Sequence, residues 1–215
     1  MIIEKKASTG TASGKREIAS TRPTADAPVP PGRCESVTLS HAYPAGSSLK
    51  RLWEWRGIPA QLTGPSLQRV AHHEASHVVL LEWTGCDITE VAAAPADGFC
   101  LFSFPNDGLP PVDSSDSGEV SATAAAACHA GLMGEMLFTG VPWLGPVFYP
   151  SYPDYQTADE ILMARFGRHS SAAHAFSQRL ALHVLSAQWD RVREVADRLI
   201  VNGCWAPGEA SGAST

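Results

Sequence analysis

The chain has 215 residues, 44% of them hydrophobic and 18% charged, which suits one compact domain with its own core. Its net charge of −6 is unevenly spread: residues 1–56 hold 9 Lys+Arg against 5 Asp+Glu and residues 57–215 hold 7 against 17, so the acidic main domain is not expected to take nucleic acid as a partner. No apolar run reaches the ~18 residues of a membrane span, no apolar stretch follows the first lysines, and five scattered cysteines without a CxxC pair suit reduced thiols; a cytoplasmic protein is expected.

Residues 1–48 are rich in Ser, Thr, Ala, Pro and Gly, with "TADAPVPPG" as a stiff stretch, and read as a disordered leader. A domain is expected over residues 49–204 and a flexible tail over 205–215. Order begins near "LKRLWEWRGIP". "GPSLQRVAHHEASHVVLLEWTG" predicts a helix capped by Ser66 and ended by Gly85, with Leu67, Val70, Ala71, Val78 and Leu81 at helical spacing. "ITEVAAA" and "GFCLFSF" predict two strands joined as a hairpin by "PADG".

After a loop, a helix is predicted from Glu119 to about Phe138, where "SATAAAACHAGLMG" offers side chains small enough for another helix to come close. "GVPWLGPVFYPSYP" reads as an apolar loop over a cleft, with Trp143, Phe148, Tyr149 and Tyr152 either lining a pocket or packing the core. Pro153 suits the first turn of a helix to about Phe166, and one long helix is predicted from Ser171 to Val201, stopped by Gly203. The fold class expected is mainly α, a helical bundle with a small β-hairpin or sheet packed beside the first helix.

That first helix carries the chemistry. His73 and His77 stand four residues apart and project from one face, the spacing that grips one tetrahedral zinc ion. Glu74 points beside such a metal, where it can act as general base towards water. His72 lies about 100° off that face and is expected at the surface or behind a ligand. The extended form of the motif would need Gly at position 80 and His at position 83, where Leu80 and Trp83 stand, so a third ligand must come from farther along. Candidates are Glu119, Glu135, Asp154, Asp159, His129, His169 and His174.

Three segments together resemble the peptidase domain of the FtsH family, membrane-anchored AAA+ zinc metalloproteases. The family's zinc helix carries H-E-A-G-H, against "HEASH" here. Its next helix carries G-R-A-A-E-E, an apolar pair and Gly, against "GLMGEMLFTG" at 131–140, and a later helix opens Asp-Leu-x-x-Ala-Thr, against "DYQTAD" at 154–159. The agreement covers roughly residues 66–202. It implies a mainly helical FtsH-like fold and a Zn2+-dependent metalloendopeptidase acting on proteins or peptides. His73, His77 and Asp154 become the zinc ligands, Glu74 the catalytic base, and Glu135 a carboxylate that orients a ligand imidazole or, alternatively, serves as third ligand.

Ser76, Leu132 and Met136 depart from the family's glycine, arginine and second glutamate. The chain carries no G-x-x-x-x-G-K-[ST] loop and no span, so ATP dependence is not implied: the expectation is a free-standing peptidase or one served by a separate ATPase partner. The family's rings leave a homo-oligomer open. The competing expectation is a catalytically inactive zinc-binding regulatory or interaction module, which the intact Glu74 argues against.

Overall fold

The computed structural model describes residues 16–21, 53–103, 119–167 and 170–208. In chain order these form β1 (Arg16–Thr21), α1 (Leu67–Trp83), β2 (Asp87–Ala94), β3 (Asp97–Ser103), α2 (Glu119–Thr139), α3 (Pro153–Phe166), α4 (Ser171–Ala187), α5 (Trp189–Asn202) and β4 (Cys204–Trp205), with a short 3-10 turn at Ala60–Leu62. The architecture is mainly helical with a small antiparallel sheet of order β1-β3-β2-β4.

α1 is the centre of the molecule. Its start is set by Ser66, whose hydroxyl accepts from the Arg69 amide at 3.3 Å, and the chain turns away at Gly85 with φ of 76°. Every residue from Arg69 to Leu81 is buried, because α2 and α5 flank the helix, α4 touches it and β2 and β3 cover a further side. A helix enclosed on all sides can carry polar groups only where they find partners. β2 and β3 form a hairpin closed by Pro95 and Ala96, with an irregularity between Ile88 and Glu90. Val91, Ala93, Gly98, Cys100 and Phe102 of the hairpin are buried.

Three expectations need correction. The predicted helix from Ser171 to Val201 is two helices, α4 and α5, parted at Gln188 (φ −113°, ψ 26°). No Gly or Pro marks the break. It lets α4 follow α2 while α5 follows α1. Within the segment read as a disordered leader, Arg16–Thr21 pairs with β3 as an end strand, because β3 has an edge that an extended segment can join; residues 1–15 and 22–48 lie outside the described residues. The tail boundary also moves, since Trp205 pairs with Val91 and is buried.

Among the described residues, no helix is long and apolar enough to cross a membrane. The apolar loop after α2 packs rather than hanging free. Gln178 of α4 pins it: its Oε1 accepts from Trp143 Nε1 at 3.0 Å and from the Val147 amide at 2.9 Å, and its Nε2 donates to the Val147 carbonyl at 3.1 Å. Tyr149 is buried, whereas Leu144 and Phe148 face solvent.

Candidate metal centre

The imidazoles of His73 and His77 project from one face of α1, as the four-residue spacing requires, and α3 delivers Asp154 to the same point. Pro153 occupies the first position of α3, which places the buried Asp154 in its first turn. Asp154 Oδ2 lies 3.1 Å from His73 Nε2 and 3.5 Å from His77 Nε2, and the two Nε2 atoms are 3.2 Å apart. Among the described residues these three form the one group of His, Cys, Asp or Glu with metal-ligand spacing.

The other ring nitrogens set the tautomers. His73 Nδ1 donates to Glu135 Oε1 at 2.6 Å and His77 Nδ1 donates to the Ala127 carbonyl at 2.9 Å. In the neutral rings both Nε2 atoms then carry lone pairs, and these converge with a carboxylate oxygen. Three lone pairs at such distances repel unless a cation lies among them. A tetrahedral ion with bonds of about 2.0–2.1 Å separates its ligand atoms by about 3.3–3.4 Å, so the observed triangle has the edges such an ion needs.

Without an ion, a proton can do part of that work. Burial pushes the Asp154 carboxyl up, but His77 and His73 opposite more than offset it and hold the group well below the usual carboxylate range.

Glu74 is fully buried one residue along from His73 and lies against β3 at Gly98. A β-carbon there would stand 2.6 Å from Glu74 Oε1, so the glycine makes room for the carboxylate. Gly131 of α2 does the same for His73, whose ring would overlap a β-carbon at that position. The small residues visible in the sequence of α2 therefore admit an imidazole as well as a helix backbone.

Glu135 stands on the far side of His73 from Asp154. Its Oε1 accepts from the ring and its Oε2 lies 3.4 Å from Arg69 Nε. The sequence does not single out Arg69 as a site residue. Its Nη1 also donates to the carbonyls of Gln61 and Thr63, which ties the 3-10 turn and the loop after it to the site. The signal available in the sequence was its position, four residues before His73 and so on the same helical face.

The remaining candidates for third ligand lie elsewhere. Tyr149 Oη is 2.7 Å from His129 Nδ1, His129 Nε2 is 3.0 Å from His174 Nδ1, and His174 Nε2 is 3.1 Å from Asp159 Oδ1. With Asp159 ionised, His174 donates to it, His129 donates to His174, and Tyr149 donates to His129. Burial and the neighbouring His174 hold the His129 ring well below the ordinary imidazole range, while burial pushes the Tyr149 phenol up, in keeping with this neutral chain. His169 and the side chain of Glu119 lie outside the described residues. His72, expected at the surface or behind a ligand, is buried instead, stacked on Phe138 at 4.0 Å with Trp189 beyond and donating from Nδ1 to the Gln68 carbonyl at 2.7 Å.

No protein-family model matches the chain, and no curated protein matches it.

Proposed function

We propose that the protein is a zinc-dependent metalloendopeptidase of the FtsH-peptidase type, hydrolysing peptide bonds in proteins or peptides. One observation carries this reading: two imidazole nitrogens and a carboxylate oxygen converge at the edge lengths of a tetrahedral ion, with the carboxylate of Glu74 buried on the next residue of the same helix. His73, His77 and Asp154 would hold the ion, leaving one of four positions open, as catalytic sites do. When bound, zinc supplies Lewis acidity towards the scissile carbonyl and brings the pKa of water near neutrality.

The protein's own groups do the rest. Glu74 accepts the proton of the attacking water and returns it to the leaving amine. Glu135 and Ala127 hold the two imidazoles with Nε2 turned inward, and Arg69 neutralises Glu135, so the charge of the inner carboxylate remains available to the ion. The resemblance in the three motif segments supports the assignment of Asp154 over Glu135, as does their placement on opposite nitrogens of His73.

Metal analysis of the purified protein together with a casein digest tests the reading. About one zinc per chain and hydrolysis that is abolished in Glu74→Gln, with zinc content retained, are expected. Zinc without hydrolysis would leave the inactive binding module instead, and a metal-free, folded chain would remove both.

A further inference from the structure

β3 has β2 on one edge and β1 on the other, and among the described residues β1 ends the sheet. The register pairs Ala19 with Phe99, Ser20 with Gly98 and Thr21 with Asp97. Gly98 is the point at which β3 meets Glu74. Neighbouring strands lie about 4.7–4.9 Å apart, so the main chain around Ser20 passes one strand spacing from that point. β1 also meets α3, the helix whose first turn carries Asp154. The chain's own strand thus fills the groove between the strand beside Glu74 and the helix of Asp154.

An extended peptide that joins a sheet edge binds through main-chain hydrogen bonds, with side chains adding selectivity. Arg16–Thr21 uses that mode of binding on that edge. We propose that the edge of β3 is the protein's site for extended polypeptide and that Arg16–Thr21 is its resident competitor, so that another peptide binds only as β1 leaves. The inference deepens the peptidase reading and rests on it for the incoming peptide being a substrate; the competition for the edge stands apart from catalysis.

Hydrogen exchange on the full chain tests it. Consecutive residues of an antiparallel strand send their amides to opposite sides, so Ile18→Pro with Ala19→Pro removes at least one donor of the β1–β3 ladder. Those amides of Asp97–Ser103 that face β1 should exchange faster by an order of magnitude or more, with the amides of α1 unchanged as the control for folding. A labelled peptide of residues 15–22, KREIASTR, should bind this variant on the order of 10-fold more tightly than the wild type, because a tethered competitor acts at up to about millimolar effective concentration. Unchanged exchange in β3, or equal affinity, overturns the proposal.

A second measurement needs no variant. Saturating the wild type with the free peptide should speed exchange of the chain's own Arg16–Thr21 amides, and no change there also overturns it. Protection of β3 that falls on dilution would place the strand on a neighbouring copy and overturn the internal pairing. If the exchange and binding results hold while casein stays intact even in the zinc-loaded Ile18→Pro, Ala19→Pro variant, whose edge is free, the peptidase reading fails and this one survives.

Discussion

Ser76 and Gly134 face each other across α1 and α2 so closely that only one of them can carry a side chain. Ser76 Oγ donates to the His72 carbonyl at 2.6 Å, in space that a β-carbon on residue 134 would invade. Gly134→Ala alone should destabilise the fold by about 1–3 kcal/mol through overpacking. Ser76→Gly in the same chain should recover much of that loss. Urea denaturation of the two single variants and the double one checks this, and additive effects would show that the two positions do not share a volume.

The two carboxylates on His73 should separate in a metal titration. Asp154→Ala removes a proposed ligand, whereas Glu135→Ala removes the group that orients His73 from behind and should cost about 10- to 100-fold in zinc affinity. Asp154→Ala is expected to be the weaker binder of the two. Full zinc affinity in Asp154→Ala with loss in Glu135→Ala would reverse the assignment.

Stability should fall in two stages as the metal-free protein is acidified. His129 and His72 are both held below the ordinary imidazole value, by burial first, so the unfolded chain takes up their protons before the folded one does. Their contribution is complete above about pH 6.5 and declines below it. Asp154, depressed in the fold, gives a contribution that is complete above about pH 3.8 and is lost below it. Melting temperatures across pH 3–8 report both stages, and a curve that is flat from pH 7 to 5 would contradict the first.

Tyr149→Phe should be costly although it deletes only a hydroxyl. The change leaves His129 Nδ1 buried without its donor, which costs about 1–3 kcal/mol. Chemical denaturation measures it, and a loss below about 0.5 kcal/mol would mean that the hydroxyl is not donating to the ring.

The parts of this structure that follow local rules could be read from the sequence. Ser66, Gly85, Pro153 and Gly203 mark helix ends by capping or backbone geometry that acts over four residues, and α1, α3 and the end of α5 lie where those residues indicate. The pairing of His73 with His77 follows from helical spacing. The parting of α4 and α5 at Gln188 has no local marker, since it answers to which helix each half packs upon. The pairing of Arg16–Thr21 with β3 joins segments about eighty residues apart, and no turn chemistry announces it. Arg69 reads in sequence as one more charge on a helix, and its burial shows only once Glu135 and the carbonyls of Gln61 and Thr63 surround it.

The central position of α1 bears on how an ion would come and go. Two of the three proposed ligand atoms belong to a helix buried without interruption from Arg69 to Leu81, and the third to the first turn of α3, of which only Asp154, Tyr155, Thr157, Ala158 and Leu162 are buried. Local opening in a protein begins where few contacts must break, so fluctuation should free Asp154 long before it disturbs either histidine. The imidazoles would then form the fixed half of the proposed site and Asp154 its latch. Exchange of the ion with solution would follow the motion of α3, at a rate set by that helix rather than by unfolding of the domain.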